Sequence, residues 1–120
     1  MNIYTLKEDF YYKCPFYVAD FQSDWLIIKD QIIKIPKNYS WNGCSPKFYL
    51  FKKIVGTPDF STKTYYASLV HDALYQFSSQ HFLTRNQSDL IFYFLCKKEN
   101  FFLSKLYYSQ IRLWGWLAWK

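Results

Sequence analysis

The spacing of apolar positions changes its period partway along the chain. Up to residue 45 they come in short runs. Trp25-Leu26-Ile27-Ile28 and Gln31-Ile32-Ile33-Lys34-Ile35 flank Lys29-Asp30, which predicts a β-hairpin whose second strand ends at Pro36. Residues 1–21 mix aromatic and charged side chains and are expected in short extended segments, with Cys14-Pro15 opposing helix. Lys37 to Pro46 is dense in turn formers, and a helical turn or two is expected from Lys47 to Ile54, stopped by Gly56-Thr57-Pro58.

From Thr62 the period becomes helical. Tyr66, Val70, Ala73, Leu74 and Phe77 form one apolar stripe, with Thr64, Ser68, His71 and Tyr75 on a neighbouring face. Ser78 to Leu83 reads as a loop. Thr84-Arg85-Asn86-Gln87 has the form of a capping box, opening a helix to about Lys98 with Leu90, Ile91, Phe94 and Leu95 on its apolar side. In the last segment, Phe101 to Lys120, Ser104, Lys105, Tyr108, Ser109 and Arg112 form a polar face opposed by Phe102, Leu103, Leu106, Leu113 and Leu117. The expected fold is therefore α+β, in a single domain over 1–120. An N-terminal antiparallel hairpin or small sheet (1–45, mainly β and turns) packs on three helices (46–120), the middle two antiparallel.

Composition narrows the class. Aromatic residues make up 24% of the 120, which favours a packed core over disorder. The net charge of +6 is spread over scattered lysine pairs such as Lys52-Lys53 and Lys97-Lys98, and a solvated face accounts for these as well as nucleic acid does. Nucleic-acid binding is accordingly not the expected role. Cys14, Cys44 and Cys96 are odd in number and lack a C-x-x-C pair, so they read as buried free thiols. Residues 1–10 lack the apolar core of a secretory signal, and no run is long enough to predict a transmembrane span. The Trp114-Gly115-Trp116-Leu117-Ala118-Trp119-Lys120 end reads either as a membrane-interface belt or as a core-packing helix end, the second being favoured.

The chemistry concentrates in Leu69-Val70-His71-Asp72-Ala73-Leu74-Tyr75. Residues four apart share a helix face, so His71 and Tyr75 point into one site and Asp72 borders it. An imidazole beside a carboxylate is the minimum equipment for activating water. Asp89, on a helix expected to run antiparallel, is the candidate partner that orients His71. A helix-surface pair of Arg85 with Asp89 would compete with that role. A structural His–Asp–Tyr network is the alternative use of the same residues. His81 reads as a surface loop residue, and Cys44 or Ser45 as a nucleophile is disfavoured for want of any triad order.

Taken in order, Ile35 to Pro46, Gly56-Thr57-Pro58, Ala67 to Gln76 and Thr84-Arg85-x-x-x-Asp89-x-x-Phe92 resemble a phage and prophage family. It is the domain-of-unknown-function family numbered 1353. That family's pattern is a strand ending in Val/Ile-Pro, an aromatic with Asp-Gly-Ala-Ser, then Leu-x-His-Asp-x-x-Tyr and Arg-x-x-Ala-Asp. The resemblance covers residues 25–95 and departs at Asn42 (Asp in the family), Cys44 (Ala) and Ser88 (Ala). More distantly, His-Asp-x-x-Tyr with an Asp on the next helix is similar to the catalytic helices of secreted and parvoviral phospholipases A2. This likeness implies His71 as general base, Tyr75 and Asp89 as its orienting groups, and Asp72 as a calcium ligand. Asn42 and Gly43 would stand where backbone and side-chain oxygens complete the calcium site. The missing carboxylate at Asn42 weakens that site, because calcium prefers six or more oxygens.

Two functions follow as expectations. One is a small phage-encoded hydrolase, calcium-assisted and esterase- or lipase-like. The other is a non-catalytic phage protein: a virion or tail component, or an inhibitor that binds a host factor. Either would act in the cytoplasm of an infected bacterium or on the virion, with an unidentified substrate or host protein as partner, and the Trp-rich end is the candidate contact with a membrane surface.

Overall fold

The computed structural model describes residues 4–41, 61–98, 104–117 and 119. Within them, six short strands precede three helices, which is the expected α+β arrangement. The strands are β1 (Tyr4–Thr5), β2 (Phe10–Lys13), β3 (Phe21–Gln22), β4 (Ile27–Lys29), β5 (Ile32–Ile35) and β6 (Ser40–Trp41). The helices are α1 (Ser61–Gln76), α2 (Arg85–Lys98) and α3 (Ser104–Trp114), the last running into a 3-10 turn at Gly115–Leu117. The helix expected between Lys47 and Ile54 lies outside the described residues, as do Asn42, Gly43, Cys44 and Ser45.

β2, β5, β4 and β3 form one antiparallel sheet in that spatial order, and β1 pairs antiparallel with β6. The expected hairpin is β4–β5, in register Ile28 to Ile33. Its turn lies one residue later than Lys29-Asp30. Asp30 and Gln31 both have positive φ (51° and 65°), the signature of a type I′ turn, whose twist matches that of the strands it joins. Asp20 supports the tip by accepting the Asp30 backbone N–H at 3.1 Å. Alternation along β5 then buries Ile33 and Ile35 while leaving Ile32 outside.

The sheet layer meets α1 mainly through aromatic side chains. Phe10 stacks on Tyr66 with ring centroids 4.8 Å apart, and Phe21 packs near Phe77. From β6 and the residue before it, the Tyr39 hydroxyl donates to Gln76 Oε1 (2.8 Å) and Trp41 Nε1–H donates to Ser68 Oγ (3.0 Å). The opposite side of α1 packs on α2. His71 and Tyr75 both reach Asp89, and Tyr75 also reaches Arg85, so residue numbers fall on one helix as they rise on the other and the pair is antiparallel. The contacts of Asp89 with Arg112 and of Tyr93 with Tyr108 give the same sense for α2 and α3.

The capping box at the start of α2 forms as the sequence predicts. Gln87 N–H donates to Thr84 Oγ1 (3.1 Å), and Thr84 N–H donates to Gln87 Oε1 (3.0 Å). The faces of α2 and α3 differ from expectation. On α2 the buried residues are Ser88, Asp89, Ile91, Phe92, Leu95 and Cys96, whereas Phe94 is exposed. On α3 Tyr107 and Ile111 are buried, while Leu106 (44% exposed) and Leu113 (61%) face out. A buried carboxylate explains both rotations. Asp89 has to face inward to meet His71 and Tyr75, and α3 has to turn so that Arg112 meets Asp89. An unpaired buried charge costs more than two exposed leucines. Among the described residues no helix is long and apolar enough to cross a membrane.

Candidate functional site

Asp89 is the hub of the site. It lies in the second turn of α2 with no solvent exposure. Oδ1 stands 2.9 Å from His71 Nε2 and accepts the Tyr75 hydroxyl at 2.6 Å. Oδ2 accepts from Arg112 Nη1 at 2.8 Å and lies 3.8 Å from Arg85 Nε. Arg112 can only donate toward it and Tyr75 donates its O–H, so Asp89 accepts from both. A carboxylate on Nε2 assigns the neutral imidazole's proton to that nitrogen and leaves the lone pair on Nδ1.

His71 is held from three directions. Its ring lies 4.2 Å from the Tyr75 ring, centroid to centroid, and meets Phe92 edge-on at 5.2 Å. Its side chain retains 13% exposure. No described residue hydrogen-bonds Nδ1. Tyr75 is kept protonated: burial raises its pKa first, and the bond to the Asp89 carboxylate raises it further, so the phenol stays a donor.

The C-terminal segment closes this cluster. Arg85 Nη2 donates to the carbonyls of Ile111 (3.2 Å) and Arg112, placing a guanidinium on the last turn of α3. Gly115 then passes so close to Tyr75 that any Cβ at this position would run into the phenol oxygen. Trp119 packs edge-on against Tyr75 (5.1 Å) and His81 (5.6 Å). The expectation of a core-packing chain end is therefore met at Trp119, while Trp116 is 60% exposed.

Asp72 points away from the hub. It is half-buried, no described residue hydrogen-bonds its carboxylate, and it interacts electrostatically with Tyr39 on the sheet side. Burial pushes its pKa up from 3.8 to about 6, opposed by the neighbouring His71. Of the three residues expected to ligate calcium, it is the one whose position is described, since Asn42 and Gly43 fall outside. No group of three or more His, Cys, Asp or Glu side chains stands together among the described residues. Calcium takes an oxygen-rich shell, to which the described residues contribute the Asp72 carboxylate.

Two sequence expectations are corrected. His81 is buried rather than on a surface loop: Nε2–H donates to the Leu74 carbonyl (2.7 Å) and Nδ1 accepts the Leu83 N–H (3.1 Å). Both nitrogens are consumed in closing the α1–α2 connection, and burial lowers the pKa. Arg85 does lie near Asp89, yet it is half-buried between helices and not a surface pair. The cysteines described, Cys14 and Cys96, are buried free thiols as expected, with Cys96 pushed up to about 12 by burial.

Arg112 is the site residue that sequence reasoning missed. A signal for it existed. The chain carries 13 lysines but only two arginines, Arg85 and Arg112, and both converge on Asp89. Arginine, weakly hydrated and forked, is the cation suited to a buried carboxylate. Compared with family models, with curated proteins and with solved structures, the chain matches none.

Proposed function

We propose that this chain is a small hydrolase in which His71 is the general base for water. The observation that carries the reading is the pairing of His71 Nε2 with a fully buried Asp89, leaving Nδ1 without a described partner. In this scheme Nδ1 takes a proton from water as its oxygen attacks an acyl carbon. The imidazolium returns the proton to the departing alkoxide as the tetrahedral intermediate collapses, and an acid and an alcohol leave. Asp89 stays ionised throughout and stabilises the imidazolium, while Tyr75 and Phe92 fix the ring.

The likeness to the phospholipase A2 helices supports an ester or lipid substrate, and the likeness to phage family 1353 supports action in an infected bacterium or on the virion. The test is hydrolysis of a panel of acyl esters and phospholipids by wild type and by His71→Ala, with folding checked by melting temperature. Turnover above background in wild type alone, with a loss of about 10²–10⁴-fold in the variant, is expected. Equal rates would overturn the reading. Calcium assistance forms a separable arm. It requires millimolar calcium to raise the melting temperature of wild type and not of Asp72→Asn, and an equal response in both removes the metal role.

A second reading has its own observation. Leu106, Leu113 and Trp116 are exposed on the C-terminal segment. Such a surface suits a non-catalytic phage protein that binds a host factor or a membrane surface, with the Asp89 cluster as a structural brace.

A further inference from the structure

We propose that Arg112 is the positioning residue for the His71 base, acting through Asp89 and not on the substrate. This rests on the hydrolase reading for its functional meaning, though the contacts behind it are independent of any substrate. The two carboxylate oxygens of Asp89 are divided between two tasks. Oδ1 serves α1, receiving the Tyr75 hydroxyl at 2.6 Å with His71 Nε2 at 2.9 Å. Oδ2 serves α3, with Arg112 Nη1 at 2.8 Å. A carboxylate held at one oxygen only can rotate about its bond to Cβ and exchange its oxygens, or turn from the imidazole. Held at both, it has one orientation, which presents Oδ1 to Nε2.

Arg85 cannot replace Arg112 in this role. Its Nε lies 3.8 Å from Oδ2, beyond hydrogen-bond distance, and Nε donates to the Tyr75 oxygen at 3.4 Å. Its Nη2 is committed to the carbonyls of Ile111 and Arg112. Arg85 instead fixes the end of α3, and so sets where Arg112 stands. The charged groups facing His71 are then Asp72 from its own helix and Asp89 from α2, with Arg85 and Arg112 behind Asp89. Arg112 supplies the direct positive charge paired with the fully buried Asp89, and the carboxylate so held keeps the imidazole proton on Nε2.

Nitrogen-15 NMR of the His71 ring reads this directly, because protonated and unprotonated ring nitrogens resonate far apart. At a pH where the ring is neutral, wild type is expected to show a protonated Nε2 and an unprotonated Nδ1. In Arg112→Gln the two resonances converge, as the ring samples both tautomers. Arg112→Lys keeps a charge without the fork and is expected to fall between, and it carries the comparison if the Gln variant does not fold. On a substrate found by the ester panel, kcat falls on the order of tenfold or more with KM unchanged. His71 resonances identical to wild type in both variants would overturn the proposal. A tautomer that responds to Arg112 in a protein without hydrolase activity would leave the positioning intact and sink the hydrolase reading instead. An active wild type whose tautomer ignores Arg112 would do the reverse.

Discussion

Asp72 and His81 carry opposite pH dependences. Asp72 has its pKa raised by burial from 3.8 to about 6, so folding favours its protonated form. The stability this contributes is full below about pH 3.8 and is lost as pH rises through about 6. At pH 7 the buried carboxylate is therefore a burden. Asp72→Asn is expected to be more stable than wild type there, by on the order of 2 kcal/mol, with the difference fading toward pH 4. His81 has its pKa lowered, because burial penalises the charged imidazolium, opposed by the hydrogen bond to the Leu74 carbonyl. Its contribution is full above about pH 6.5 and is lost on acidification. His81→Gln should flatten the acid side of the stability curve that Asp72→Asn steepens. Urea midpoints of the three proteins at intervals from pH 4 to 8 check both signs. In the hydrolase reading Asp72 borders the base.

At the scale of elements, the helix ends were the most legible and the helix faces the least. Thr84 and Gln87 announce the start of α2 by their types and spacing alone, because a capping box is satisfied within four residues. The β4–β5 hairpin was legible for the same reason, its turn displaced by one residue. The faces of α2 and α3 were not, since hydrophobic counting cannot know that Asp89 is buried. Burial of Asp89 was decided by Tyr75, Arg85 and Arg112 on three separate helices. Leu106 and Leu113 were assigned to the core by their hydrophobicity, yet the need to bring Arg112 inward outweighed them. Gly115 belongs to the same interlock, as its missing side chain admits the Tyr75 hydroxyl. Gly115→Ala is expected to displace Tyr75 or the chain end and to destabilise by about 1–3 kcal/mol, measurable as a lowered melting temperature. Unchanged stability would mean that the α3 end sits further from Tyr75 than the structure has it.

For the whole molecule, the layer order places the His71–Tyr75–Asp89 cluster at the seam between helices and leaves the sheet as backing. β6 and Tyr39 brace the sheet-facing side of α1 through Ser68 and Gln76, while α2 and α3 enclose its other side through Asp89. His71, Tyr75 and Asp89 were all predicted from the sequence and meet within hydrogen-bonding distance. Asn42 and Gly43 lie outside the described residues. What the sequence concealed was the tertiary half of the site, Arg112 and Gly115, which arrive from the last helix and its end. In the proposed hydrolase His71 acts as a base oriented by Asp89. The most direct test of this role is hydrolysis of the best panel substrate by wild type, His71→Ala and Asp89→Asn, each shown to be folded. Asp89→Asn keeps the shape of the hub but can donate where the carboxylate only accepts, so it reverses the imidazole tautomer. Both variants are expected to lose about 10²-fold or more in kcat. Wild type at background, or either variant as fast as wild type, would contradict it.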